Sequence, residues 1–511
     1  MTKNNRLYIG DAPVHWKDVV QVSRHQSELA LSQTAWDCIR NARAIVDHIV
    51  TRNEKAYGIT TGLGALCDQV LSGEQLNRLS VNTLRSHACG IGSPLTTEQT
   101  RAIICAAIIN FSHGKSGVHP DIVQALIDLL NKGVTPYVPA RGSVGYLTHM
   151  AHIGLCLIGE GKATFEGALV PADKALEQAG ISMITPGAKD GLCLVSSVPC
   201  MTGLACLALD ESERLFKWAD IIAAMSFEAH KGQIDAFDRD ALNLKKNPNT
   251  SVVGNNLRLL LQDSTVIARH KGLRTQDALS MRSIPQVHGA CRDQFDHTAT
   301  LVQHELNSVS DNPVLIGTAE DYRIVSSANP HGESVALALD GLKIAISELG
   351  GISERRLDRL LNPLVSGLPA FLVREPGVNS GLMITQYTAA SLASENKQLS
   401  QPSVVDNFVT SALQEDHLSF GTPAALQLLH ILDNSRHILA IEYLCAAQAL
   451  SFYGEDELAS GTREALTELR YIVPVLEEDR FLAPDIEQAC ALIKAGKSIH
   501  DREGSIAGKI R

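Results

Sequence analysis

The chain has 511 residues, 45% hydrophobic and 20% charged, with 56 acidic against 45 basic side chains and a formal net charge of −11. That is globular composition, enough for two or three packed domains. The acidic balance, with no basic arm or Lys/Arg run, argues against nucleic acid or an anionic membrane as partner.

In chain order, the opening MTKNNRLYIGDAPVHWKD lacks the apolar stretch of a secretory signal, so a cytoplasmic location is expected. The 11 cysteines are scattered without a CxxC pair and are expected to be reduced thiols packed as small hydrophobes. Glycine and proline break the first two hundred residues into short units, at GITTGLG (58–64), GIGSP (90–94) and PYVPARGSVG (136–145). Tyr57 directly precedes the first of these. Glycines at 58, 62 and 64 allow positive φ and close approach, so the loop can present a phenol to a cavity. A phenol serves as a general base when its surroundings lower its pKa from about 10. The plainer reading of that motif is a turn with a packed tyrosine. His149 and His152 have HxxH spacing but no acidic residue between them and no evident third ligand, so no metal site is expected. The uncharged run Gly191–Leu209 is interrupted by Ser196, Ser197, Pro199 and Gly203 and reads as buried core rather than a membrane span.

From Leu204 onward the pattern becomes that of long helices. Leu204, Leu207, Leu215, Trp218, Ile222 and Met225 form one apolar stripe; Leu339, Leu342, Ile346 and Leu349 form another, as do Ile438, Ile441 and Cys445. Strand-like alternation is scarce, with YRIVS (322–326) the best case. Arg282, between apolar residues and before Pro285, is either a fork for a substrate carboxylate or a structural ion-pair partner. In QEDHLSFG, one of Glu415 and Asp416 is expected to face a cavity while the other bonds structurally. The predicted architecture is mostly α: a loop-rich N-terminal active-site domain over 1–203, a central long-helix bundle over 204–454 and a C-terminal helical tail over 455–511. Apolar character on more than one helix face suggests burial between subunits as well.

Together and in order, YGITTGLG, RSHACGIG, GSVG, LIGEGKA, SMRSIPQVHGA, SVSDNPV, VNSGLMITQYTAASLASENK, QEDHLSFG and DRFLAPDIE resemble the aromatic amino acid ammonia-lyase family, of histidine type. The resemblance covers roughly residues 45–490. It implies a small-molecule substrate and a homotetramer whose sites are built by loops of three subunits. It also implies residue roles. Tyr57 matches the residue that removes the β-proton, and Arg282 the carboxylate binder, with Gln276 and Asn312 near it. His87 and Glu415 match residues at the imidazole end. Ser196, Leu279 and Pro330 stand where the family has an asparagine, a tyrosine and a phenylalanine; Lys397 is shared with the family and reads as structural.

The family continues GSVG with Ala-Ser-Gly, which cyclises into the electrophile methylideneimidazolone that activates the leaving amine. Here Tyr146 and Leu147 follow Gly145 at once. The resemblance therefore implies a cofactor-free, ergothionase-like member. The expected reaction is elimination of trimethylamine from ergothioneine to give thiourocanate, since a trimethylammonium leaves as a neutral amine and has no lone pair to offer an electrophile. The alternatives are another cofactor-free lyase or aminomutase-like enzyme on an imidazolyl or aryl amino acid derivative, and a non-catalytic ligand-binding or regulatory tetramer.

Overall fold

Capping signals set where the N-terminal helices begin. Thr96 Oγ1 accepts from Gln99 N–H at 3.2 Å and Gln99 Oε1 accepts from Thr96 N–H at 2.9 Å, a capping box before the helix Thr97–Ser112. Past its first turn that helix is buried on every side, as the run AIICAAIINF requires. A Cβ on Gly203 would stand 2.6 Å from Ala102 O, so only glycine lets the helix Pro199–Ala229 come this close. Ser72 and Gln75 form the same kind of box before the helix Gly73–His87. Its buried residues Leu76, Ser80, Thr83 and Leu84 share one face, and His87 ends its last turn.

The computed structural model describes residues 6–66, 68–405, 407–495 and 505–511, and they are mostly helical, with 60% helix and 8% strand. They form two compact units. The first comprises Met1–Asp210, Thr298–Asp340 and Pro402–Leu426; the second comprises Glu211–His297, Gly341–Gln401 and Gln427–Arg511.

All strands among the described residues belong to the first unit and are short. Ile91–Pro94 pairs with Pro139–Arg141, and Lys162–Phe165 lies between Thr135–Pro136 and Ala168–Pro171. The strand predicted at YRIVS forms as Tyr322–Val325, antiparallel to Val314–Gly317 with Tyr322 opposite Gly317.

The second unit is built on long helices whose interior carries charge. Glu442 accepts from Arg356 Nε at 2.6 Å and Nη2 at 2.8 Å, and from the hydroxyls of Ser226 at 2.7 Å and Ser353 at 2.5 Å. Both partners of the ion pair are fully buried. Beside it Asp220 accepts from His288 and Arg292, each at 2.7 Å. Burial pushes the Asp220 carboxyl upward, but Arg292 and His288 outweigh it and hold it below the usual carboxylate range.

The segment Asp190–Ala229 is long and apolar enough to cross a membrane, yet its most apolar window is wholly buried in the protein, in keeping with the core expected of Gly191–Leu209. The described cysteines are all free thiols, most of them buried; Cys67 lies outside the described residues.

Candidate active site

Tyr57 heads a turn fixed by its own threonines. Ala56 N–H donates to Thr60 Oγ1 at 2.9 Å and Gly58 N–H to Thr61 Oγ1 at 3.2 Å, while the Thr60 hydroxyl donates to Glu54 O at 2.5 Å. Thr61 bridges to Val70, and Leu71 N–H reaches Thr60 O at 3.0 Å, closing the loop at its base. Gly58 has φ +64°, and a Cβ there would run into Leu192 of the helix Asp190–Val195. Glycine is required at that position both for conformation and for space.

The turn opens on a cavity of about 1190 Å³ in the first unit, lined by Tyr57, His87, Tyr146, Ser196, Asn312 and Glu415 among others. The Tyr146 phenol lies within reach of the Glu415 carboxylate charge, with Tyr57 also within electrostatic reach. Burial first, and then the negative charge of Glu415, push the Tyr146 phenol well above its ordinary value, so it stays protonated at neutral pH. Glu415 is itself positioned by Thr410, whose N–H reaches Glu415 O at 2.8 Å and whose hydroxyl donates to Oε2 at 3.2 Å. Burial lowers the His87 pKa, only partly offset by its hydrogen bond to the Thr83 backbone and by the Glu415 charge, so the imidazole is neutral near pH 7.

Ser196 caps the C-terminus of Asp190–Val195 and donates to Asn312 O at 3.4 Å. Asn312 Oδ1 accepts from Ser327 N–H at 2.9 Å. Next to Asn312 in the chain, Asp311 pairs with Lys189 at 3.7 Å, both fully buried. A buried pair of this kind fixes the backbone on which Asn312 stands.

Two predicted binding residues lie elsewhere. Gln276 and Arg282 belong to the second unit and are not among the residues lining this cavity. Gln276 is exposed; Arg282 is half-buried, and its buried Nε has no hydrogen-bond partner. Lys397 is exposed on the helix Met383–Leu399. The HxxH histidines are engaged with backbone: His149 Nε2 lies 3.1 Å from Ala140 O, and His152 Nε2 accepts from Gly90 N–H at 3.1 Å.

The turn at Gly145 is pinned on all sides. Phe420 N–H donates to Val144 O at 2.9 Å, the Thr422 hydroxyl to Gly145 O at 3.3 Å, and Leu147 N–H to Val195 O at 3.1 Å. Tyr146, directly after Gly145, is thus delivered into the cavity. Sequence reasoning assigned Tyr146 no part in the site, although a phenol directly after Gly145 was the available signal. An Ala-Ser-Gly run does occur at Ala459–Gly461, but it opens the helix Ser460–Arg470, with Ser460 N–H on Asp263 at 2.8 Å.

Residues 14–471 match the family model for aromatic amino acid lyases. A histidine ammonia-lyase of Symbiobacterium thermophilum is 43% identical over 496 residues, covering 96% of this chain and 97% of that protein. Among solved structures, histidine ammonia-lyase from Trypanosoma cruzi matches with TM-score 0.89 at 33% identity, covering 96% of this chain and 94% of its own. Ergothionase from Treponema denticola matches with TM-score 0.90 at 28% identity, covering 96% of this chain and 99% of its own. The chain belongs to the aromatic amino acid lyase family, within the carbon–nitrogen lyases. Its mostly helical, histidine ammonia-lyase-like fold is the one the motifs implied.

The expected substrate is corrected. TM-scores of 0.89 and 0.90 do not separate the two kinds of relative, whereas sequence does: 43% identity to a histidine ammonia-lyase stands against 28% to ergothionase. Elimination of trimethylamine from ergothioneine is therefore not supported. Leu279 is 63% exposed and, like Arg282, belongs to the second unit and does not line the cavity of its own chain. Pro330 does line it, in a cavity whose wall also carries Tyr57, His87, Tyr146 and Glu415.

Proposed function

We propose that the chain is a carbon–nitrogen lyase or aminomutase-like enzyme acting on an imidazolyl or aryl amino acid derivative, without the family's cyclised electrophile. The observation that carries this reading is the cluster of Tyr57, Tyr146 and Glu415 in one cavity. Tyr146 and Leu147 offer no serine to dehydrate after Gly145, so the residues at this junction do not fit that group.

The two phenols divide the work. Tyr146, held protonated by burial and Glu415, is a hydrogen-bond donor, which leaves Tyr57 to take the β-proton. The C–H electron pair becomes the C=C bond as the C–N bond breaks and the amine leaves with its electron pair. Neutral His87 and Glu415 orient the ring, while Ser196 and Asn312 also line the wall. Arg282 and Gln276 are proposed to serve the cavity of another copy in a homotetramer, the Arg282 fork meeting the substrate carboxylate. A cytoplasmic location belongs to the same reading.

The test is a panel of imidazolyl and aryl α-amino acids and their N-substituted derivatives. The rise of conjugated acrylate absorbance is followed, and β-amino acid is sought by chromatography. Turnover of an imidazolyl member that survives borohydride is expected. Inactivation by borohydride would overturn the electrophile-free reading, and silence across the panel would overturn the lyase reading.

A further inference from the structure

On the same cavity wall, His331 and His417 bring two imidazoles together in a way that the proton transfer does not use. His331 lies two residues before the helix Glu333–Leu361, and His417 in the segment leading to Gly421–Leu450. His417 Nδ1 and His331 Nε2 are 3.3 Å apart, with ring planes tilted by 33°. That is longer than a usual N–H···N contact. Two nitrogens each about 2.0–2.1 Å from one ion at the tetrahedral angle stand about 3.3 Å apart. Glu333 supplies a third donor, and one ligand atom from each of the three residues lies within 4.8 Å of the others. The Glu333 side chain is 32% exposed, but its Oε2 atom is buried without a hydrogen-bond partner; it lies 4.0 Å from His331 Nδ1, the ring nitrogen that does not face His417. An unpartnered carboxylate oxygen of this kind is satisfied when a cation meets it.

We propose that His331, Glu333 and His417 form a site for a divalent transition-metal ion of zinc type, with its remaining coordination position turned to the cavity. Two imidazoles and one carboxylate suit zinc, cobalt or iron(II) better than calcium or magnesium, which take oxygen ligands. Three protein ligands leave room for a fourth, either water or a carboxylate or amine of the ligand in the cavity. The site does not depend on the lyase assignment and stands or falls by its own measurement.

The experiment uses untagged, chelator-treated full-length protein titrated with Co²⁺, followed by the visible d–d bands of four- or five-coordinate cobalt. Zn²⁺ is then titrated calorimetrically. One ion per chain is expected. His331→Ala and His417→Ala should each weaken binding at least tenfold, and the nearly isosteric Glu333→Gln should also weaken it while the far-ultraviolet circular dichroism stays unchanged. His149→Ala should leave the titration as it is. Absence of cobalt bands in the wild-type protein, or unchanged affinity in folded Glu333→Gln together with both histidine variants, would overturn the site.

Discussion

Tyr57 and Tyr146 differ by what surrounds their hydroxyls, and that difference yields two opposite expectations. Tyr57→Phe removes only the proposed base, so turnover should fall by about 10²–10⁴-fold with little change in substrate binding. Tyr146→Phe removes the phenol hydroxyl from beside the half-buried Glu415 at the ring-binding end of the cavity, so KM should rise along with any loss in kcat. Steady-state kinetics on a panel-identified substrate checks both; equal kinetic signatures would argue against separate roles. At this scale the sequence was informative where a motif carries its residue. Tyr57, His87, Ser196, Asn312 and Glu415 come from five separate segments and line one cavity. Tyr146 was not legible because its significance lies in its nearness to a charge far along the chain, that of Glu415. His331 and His417 were missed for the same reason.

Helices carried the most readable signal and also concealed the most. The predicted stripe Leu339, Leu342, Ile346 and Leu349 is fully buried, as are Ile438, Ile441 and Cys445. Nothing in that periodicity said that Arg356 and Glu442, on the same helices, would be buried as a pair, because each side chain's partner lies on another element. Breaking such a pair leaves an unpaired charge in the core. Glu442→Gln should therefore cost about 3–5 kcal/mol in denaturant unfolding. The double variant Arg356→Met, Glu442→Leu should cost less than that single one, since no lone charge remains. A double variant less stable than Glu442→Gln would show that the pair contributes more than its own neutralisation.

For the molecule as a whole, the buried histidines set a pH limit. Burial first, then Arg274 and Arg359, hold His230 down to about 4 from an ordinary 6.5. The unfolded chain takes up this proton near pH 6.5, the folded chain only near pH 4. Between those values the unfolded state binds more protons, so stability present above pH 6.5 is lost as the pH falls, by about 1.4 kcal/mol per pH unit at mid-window. His230→Gln should flatten that slope by one proton in denaturation at fixed protein concentration. Assembly is tested separately. Tyr57 and Glu415 line one chain's cavity, whereas Arg282 does not. Co-expressed Tyr57→Phe and Arg282→Met chains should regain part of their activity in mixed tetramers, while Tyr57→Phe with Glu415→Gln should regain none. Equal outcomes for the two pairs would exclude sites completed by another copy.

The Tyr146–Glu415 contact also gives the protein an optical reporter. A phenol deprotonates with a gain in near-ultraviolet absorbance, so an alkaline titration of the folded chain should leave Tyr146 dark past the pH at which an ordinary phenol turns on. Glu415→Gln removes the negative charge and should bring one tyrosine's transition to lower pH. A bound ligand that draws Glu415 away would do the same, making occupancy of the cavity visible without turnover.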